Sequence, residues 1–142
     1  IVTLPFARDT VTLYNRCALV GPDGRTRVTW HRRVLDACTW RARTHVVRDE
    51  KALSQAHEII CRIPADTDYL PYGAWACLTQ RAGKFTLSVG DVLVLGCVPD
   101  EIGGASSAGD IVKKYRARGA MQVAFASDNA SGMLGHYLAK GD

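Results

Sequence analysis

The chain has 142 residues, of which 47% are hydrophobic and 23% are charged. This length suits one domain with one hydrophobic core, and the composition excludes a disordered chain. Uninterrupted apolar runs are only a few residues long, which excludes a membrane-spanning helix and a membrane partner. We therefore predict a single domain over residues 1–142.

The net charge of +4 is unevenly distributed. Residues 1–62 contain eleven Lys and Arg against six Asp and Glu, a net charge of +5, whereas residues 63–142 contain seven against eight, a net charge of −1. A basic half suits a negatively charged partner, either nucleic acid or an acidic protein surface. A solvated face on a half-buried sheet explains the same charges equally well.

The N-terminal residues lack the charged-then-apolar plan of a signal peptide, so we expect synthesis in the cytoplasm. The five cysteines are scattered and form no C-x-x-C pair. This pattern predicts reduced thiols that serve mostly as small core residues.

The first half of the chain reads as strands. Residues 10–19 are rich in alternating β-branched and aromatic residues, and residues 25–35 follow a Gly21-Pro22-Asp23-Gly24 turn signal, which together predict a hairpin. Residues 38–47 predict a third strand, residues 49–56 an ordered loop with a brief helical turn, and residues 57–64 a strand that Pro64 ends.

The second half begins with a loop over residues 66–73 that contains exposed-looking aromatics. Residues 84–98 predict β-structure, because residues 85–89 alternate, Gly90-Asp91 breaks the run, and residues 92–95 are apolar throughout. Residues 99–109 hold three glycines and two serines, which predicts a flexible loop that folding does not need.

The last part of the chain predicts the one convincing helix, from Asp110 as its cap to Gly119 at its end. Strands are expected over residues 121–126 and 133–140, with a turn at residues 128–132. The predicted fold is therefore mainly β, a small barrel or sandwich of about seven to eight short strands with one short helix in the C-terminal half.

No group of residues in the sequence predicts catalysis. His57 and Cys61 would lie roughly 13 Å apart along a strand, too far to share a zinc ion. The glycine-rich stretch at residues 103–109 lacks the lysine and hydroxyl pair of a phosphate-binding loop. We therefore expect no enzyme activity, no cofactor and no metal.

The candidate interaction residues lie in the two loops and among the arginines. Aromatics among arginines can stack bases, and arginine is also favoured at protein interfaces. The candidates in the loops are Tyr69, Leu70, Tyr72, Gly103, Gly104 and Ser106. The candidate arginines are Arg25, Arg27, Arg32, Arg33, Arg41 and Arg43.

Short stretches in this order resemble a family of tailed-bacteriophage virion proteins encoded among the head–tail joining genes. They are residues 9–16, residues 30–35 with Trp40, residues 85–92, and residues 127–129 with His136. The plan also resembles head-completion (stopper, or head-closure) proteins, with a T-x-T-L-Y-like opening strand, a Trp-bearing second strand and a hairpin around Gly90-Asp91.

The resemblance implies a β-barrel connector subunit of the virion neck. Such a subunit forms a ring with copies of itself, contacts portal or adaptor proteins on the head side and tail or terminator proteins on the tail side, and helps to close the channel that holds packaged DNA. Residues 66–73 and 99–109 would supply the contact loops. The alternatives are a tail terminator or other connector ring protein and, from another class, a nucleic-acid-binding β-barrel module.

Overall fold

The computed structural model describes residues 8–50, 52–103, 106–132 and 134–142. These residues form seven strands and two helices. In chain order the elements are β1 (Asp9–Val20), β2 (Thr26–Asp49), β3 (Ala52–Pro64), α1 (Tyr72–Ala76), β4 (Val92–Leu95), α2 (Ala108–Tyr115), β5 (Ala120–Gln122), β6 (Phe125–Asn129) and β7 (His136–Gly141). The predicted mainly β class is confirmed.

The strands form an antiparallel sheet in the order β5-β4-β1-β2-β3-β7-β6. β5 and β6 lie at opposite edges of this sheet, yet only Val123 and Ala124 separate them in the chain. Neighbouring strands are about 4.8 Å apart, so two residues cannot cross a flat sheet of this width. The sheet must therefore curve or fold until its edges meet, as in a barrel or a sandwich.

Backbone contacts join the two edges at this point. The Val123 amide donates to the Asp91 carbonyl at 2.7 Å, and the Ala124 amide donates to the Lys140 carbonyl at 2.8 Å. Gly141, in β7, lies so close to β5 that a Cβ atom there would be 2.6 Å from the Gln122 carbonyl oxygen. A glycine is therefore required where β7 passes β5.

β2 joins the part of the sheet that contains β1, β4 and β5 to the part that contains β3, β7 and β6, and it bends between the two. It pairs with β1 as far as Cys38 and with β3 from Thr39 onward. One extra residue in β2 shifts the register with β1 near this point, which makes a β-bulge. Ala37 has a φ of 57° there, a conformation that residues other than glycine rarely adopt.

The buried side chains form three clusters: one in the interior, one beneath α2 and a small one around Trp75. The interior cluster contains Leu13, Cys61, Phe85 and Met121, together with neighbours from most strands. The cluster beneath α2 is centred on Tyr14. β1 is thus covered on both faces, since Leu13 and Tyr14 point to opposite sides of the same strand.

A buried carboxylate connects β1 to the turn before β4. Asp91 accepts hydrogen bonds from the Arg16 amide at 2.9 Å, the Asn15 side chain at 2.8 Å and the Ser88 amide at 2.9 Å. Burial raises the pKa of Asp91 to about 6, although these hydrogen bonds act in the opposite direction.

The predicted hairpin over residues 10–35 and the apolar strand at residues 92–95 are confirmed. Other predicted boundaries were wrong. Residues 38–47 are not a separate strand, because β2 continues through its bulge. The predicted loop at residues 49–56 is mostly strand, because β3 begins at Ala52 and pairs with β2.

Residues 85–89 alternate in polarity but form no strand, and Phe85 makes an isolated bridge with Tyr69. The predicted strand at residues 121–126 is two strands, β5 and β6, that pair at opposite edges of the sheet. α1 was not predicted. α2 begins at Ala108, because Ser107 caps it and Asp110 completes a capping box, so Asp110 is not the cap.

We predict that Ala37 limits stability through its backbone. Ala37→Gly should raise the free energy of unfolding by about 0.5–1 kcal/mol, because glycine adopts a positive φ without steric cost. Ala37→Val should lower it by about 1–3 kcal/mol. Urea unfolding of both variants checks this, with Ala18→Gly in β1, which should be destabilising, as the control. A loss of stability in Ala37→Gly would contradict the prediction.

We also predict that Asp91 makes stability depend on pH. Its folded-state pKa of about 6 lies above the ordinary value of 3.8, so the folded state binds the proton more tightly between these values. The contribution of Asp91 to the free energy of unfolding should therefore fall by about 2–3 kcal/mol as pH rises from 4 to 7.

The measurement is urea unfolding of the wild-type chain and of Asp91→Asn at both pH values. The variant is needed because burial and Arg81 lower the pKa of His31, which acts in the opposite direction over the same range. A carboxyl NMR titration of Asp91 with a midpoint near 4 would contradict the prediction.

Candidate interaction surfaces

The candidate arginines lie in three separate places along β2 and the turn before it. Arg25 and Arg27 are at the exposed hairpin tip, Arg32 and Arg33 are in the middle of β2, and Arg41 and Arg43 are beyond the bulge. The structure therefore does not gather them on one face. At the tip, Arg27 and Asp23 are 3.6 Å apart and largely exposed, so this ion pair adds little stability.

Beyond the bulge, β2 and β3 project from the closed sheet as a two-stranded ribbon, formed by residues 41–49 and 52–58. β1 stops pairing with β2 at Cys38, and β7 begins pairing with β3 at Ile59. Within the described chain, neither outer edge of the ribbon pairs with another strand. A strand of nine residues reaches roughly 26 Å, so the ribbon extends well beyond the body.

One face of the ribbon continues the interior of the body. Trp40 pairs with Cys61, which belongs to the interior cluster, and Ala42 pairs with Ile59, which packs against it. Farther out, the same face presents Val46 and Leu53, whose exposed fractions are 65% and 68%. It also carries the polar residues Thr44, Arg48, Gln55 and His57. We call the row Ala42, Val46, Leu53 and Ile59 the ribbon stripe.

The opposite face of the ribbon is polar at its base. The Arg43 guanidinium donates to the Glu58 carboxylate, with nitrogen–oxygen distances of 2.7 and 2.8 Å, and Lys140 of β7 lies 3.8 Å from the same carboxylate. Arg41 is exposed on this face. These ion pairs fix the base of the ribbon against β7, and the ribbon stripe remains uncovered on the other side.

A basic cleft of about 350 Å³ lies beside the middle of β2. Trp30 to Arg33 form one wall, and residues 81–84, with the basic side chains Arg81 and Lys84, form the other. Residues 30–33 pair with β1 on one side and, in the described residues, with no strand on the other. Asn15 and Glu101 complete the lining.

Two arginines of β2 line this cleft from opposite faces of the strand and are fixed by different contacts. Arg32 donates through Nε and Nη2 to the Val98 carbonyl, at 2.9 and 2.6 Å. Arg33 donates to Asp68 at 2.9 Å, and Lys84 lies 3.6 Å from the other oxygen of the same carboxylate. These two cations lower the pKa of Asp68, chiefly through the hydrogen bond from Arg33.

The opposite wall of the cleft is organised around Arg81. Its guanidinium lies 5.5 Å from the centre of the Trp75 ring, and its Nη2 donates to the Ala76 carbonyl. Its Nε–H is buried and has no hydrogen-bond acceptor among the described residues. His31 packs edge-on against Trp75, and its pKa is lowered, first by burial and then by the charge of Arg81.

The aromatic loop residues contact the body. Tyr69 is partly buried and stacks on Tyr137 at a centroid distance of 3.8 Å, and Leu70 packs on the small cluster around Trp75. Tyr72 is 37% exposed, and its hydroxyl accepts a hydrogen bond from the Ala18 amide. Only Tyr72 of these three presents a substantial surface.

The loop before α2 is also anchored to the body, and the expectation that folding does not need residues 99–109 stays a prediction. The Tyr14 hydroxyl donates to the Asp100 carbonyl at 2.7 Å, and the Asp100 carboxylate accepts from Lys114 and Tyr115 of α2. Gly103 and Ser106 form two backbone hydrogen bonds with each other. The candidate residue Gly104 lies outside the described residues.

A cavity of about 660 Å³ lies between the β2 bulge and residues 63–67. Two carboxylates lie in this cavity. Asp36 accepts a hydrogen bond from the Thr10 hydroxyl, and Asp66 accepts one from the Asp68 amide.

Among the described residues no group of three or more His, Cys, Asp or Glu side chains is placed to hold a metal ion. None of the described helices is long and apolar enough to cross a membrane.

Sequence reasoning missed the ribbon as a unit and missed Arg81 and Lys84. The ribbon strands were hidden because residues 49–56 carry a helix-like composition. Arg81 and Lys84 stand more than forty residues from Arg32 and Arg33, and no local pattern predicts that such distant residues share a cleft. The turn-forming Gly83 between them was the available sign of a loop.

The fold and surfaces define a small, mainly β protein with a curved seven-stranded sheet, a projecting ribbon and a basic cleft. Residues 6–142 match the model of a protein family described as "Family of unknown function (DUF6751)", and the chain belongs to this family. Comparisons with curated proteins and with solved structures found no match.

Proposed function

We propose that the protein is a structural subunit of a tailed-phage virion, which forms a ring in the neck between the head and the tail. The ribbon carries this proposal. It extends from the body of the sheet, both of its edges are unpaired in the described residues, and one face presents the exposed apolar side chains Val46 and Leu53. An isolated two-stranded ribbon is at best marginally stable in water, so a partner that covers it would stabilise it.

The partner we propose for the ribbon is a second copy of this chain. In a cyclic ring every subunit meets the next through the same pair of surfaces, so a projecting arm from one subunit can reach the body of its neighbour. An unpaired strand edge adds backbone hydrogen bonds to such a contact, and the ribbon stripe adds apolar burial.

The sequence resemblance to head-completion proteins provides the setting. The residues that carry it also contact one another: the Asn15 side chain donates to the Asp91 carboxylate at 2.8 Å, and the Arg16 amide donates to the same carboxylate at 2.9 Å. In the proposed ring the remaining partners are portal or adaptor proteins on the head side, tail or terminator proteins on the tail side, and packaged DNA in the channel.

We predict that apolar contacts of the ribbon drive assembly. Val46→Asp and Leu53→Asp should each weaken self-association at least tenfold, because each places a charge in the proposed interface. Light scattering coupled to gel filtration, with negative-stain microscopy, measures this over a range of protein concentrations. Val89→Asp is the matched control, because Val89 is 66% exposed and lies away from the ribbon.

The three variants should melt at the temperature of the wild-type monomer, since all three side chains are exposed. The proposal of a neck ring fails if the wild-type chain stays monomeric at high concentration, does not join isolated portal rings, and is not detected by antibody labelling at the neck of phage particles. Equal loss of assembly in Val89→Asp would remove the ribbon from the interface.

A second candidate function is a nucleic-acid-binding β-barrel, which the arginines along β2 favour. This module should retain single-stranded DNA at low salt and lose it steeply as the salt concentration rises, because phosphate contacts release counterions. A chain that forms rings and shows no such binding would exclude this candidate.

A further inference from the structure

We infer that the basic cleft between residues 30–33 and residues 81–84 is a binding site for a phosphate group. This inference concerns the single chain and does not depend on ring assembly. The cleft places the basic side chains Arg32, Arg33, Arg81 and Lys84 around one concave space of about 350 Å³, larger than a phosphate group alone needs.

The charges in and beside the cleft do not cancel. Asp68 bridges Arg33 and Lys84, and Glu101 lies on the lining, so two carboxylates oppose four cations. Arg32 is bound to a neutral carbonyl, which leaves its charge uncompensated by that contact. Positive potential in a concave space concentrates anions.

The guanidinium of Arg81 is held in place on one wall of the cleft without a carboxylate partner among the described residues. Its position is fixed by the Ala76 carbonyl and by the Trp75 ring, while its Nε–H is buried with no acceptor among the described residues. A buried charged group is costly, and a negative charge in the cleft would lower that cost through its attraction to the Arg81 guanidinium. The pKa of His31 is lowered first by burial and then by the charge of Arg81.

A phosphate group suits this geometry better than a carboxylate. Its oxygens point in several directions and can accept hydrogen bonds from both walls at once, whereas a carboxylate presents two oxygens in one plane. Guanidinium groups donate in a planar fork that matches two phosphate oxygens. The free edge of β2 at residues 30–33 leaves one side of the cleft accessible, so a phosphodiester that continues beyond the cleft also fits.

The test is NMR titration of the full chain at low ionic strength with three separate probes: inorganic phosphate, a single-stranded oligothymidylate, and polyglutamate of similar charge. We expect phosphate and the oligonucleotide to shift the amide resonances of residues 30–33 and 81–84. Tighter binding of the oligonucleotide assigns the site to a nucleic-acid backbone, and equal affinity per phosphate assigns it to free phosphate. Both results support the inference.

Arg81→Lys keeps the charge but removes the fork, and should weaken phosphate binding at least fivefold. Lys84→Gln should weaken it to a similar extent, and Arg27→Gln at the exposed hairpin tip should leave it unchanged. Lys84 and Arg27 are 43% and 74% exposed, so these substitutions should not affect folding, which a thermal melt checks. The inference is overturned if only polyglutamate binds, if no probe shifts the cleft resonances, or if Arg27→Gln weakens binding as much as Lys84→Gln.

Discussion

The fold depends on one constraint, that residues 120–129 complete both edges of the same sheet. β5 pairs with β4 and β6 pairs with β7, and two residues join them. The short connection forces the sheet to curve, and the curvature encloses Leu13, Phe85 and Met121 in one interior cluster. Closure also requires β7 to pass close to β5, which Gly141 permits because it has no Cβ atom. Asp91 belongs to the same junction, since its carbonyl accepts from Val123 and its carboxylate holds β1.

Closure also explains why the functional surfaces lie where they do. A sheet that is joined at both ends leaves few free strand edges, and edges are where strands recruit other chains. β2 is longer than either of its neighbours, so in the described residues it has two stretches with a free edge. Residues 30–33 border the basic cleft, and residues 41–49 form one strand of the ribbon. The bulge at Ala37 separates these two stretches, and β2 bends there. One long, bent strand thus contributes to both candidate surfaces.

The sequence predicted those elements whose signals are local. The hairpin around Gly21-Pro22-Asp23-Gly24 and the apolar strand at residues 92–95 were correct, because turn chemistry and burial on both faces are visible within a few residues. The extent of β2 and β3 was not predicted, because the helix-like composition of residues 49–56 is overridden by pairing between the two strands. Likewise, Ser107 rather than Asp110 caps α2, since a capping box contains two suitable residues three positions apart.

The sequence also predicted Arg32, Arg33, Arg41 and Arg43 as candidate interaction residues. It did not predict which residues face Arg32 and Arg33 across the cleft, because these come from distant parts of the chain.

The cleft and the ribbon differ in the kind of contact that each can make. The ribbon stripe consists of apolar side chains on the face that begins at the interior, so it gains from burial and suits a permanent neighbour. The cleft is polar and holds cations that are fixed by their own hydrogen bonds, so it suits an anion, and the affinity for that anion should fall as the salt concentration rises.

The ribbon and the cleft lie on opposite sides of the bend at Ala37, so a subunit that binds its neighbour through the ribbon keeps its cleft on the body. In a ring, this arrangement would repeat the cleft once per subunit at a fixed spacing. A repeated set of phosphate sites around a channel would act together on a nucleic acid that passes through it, because linked weak sites bind far more tightly than each site alone.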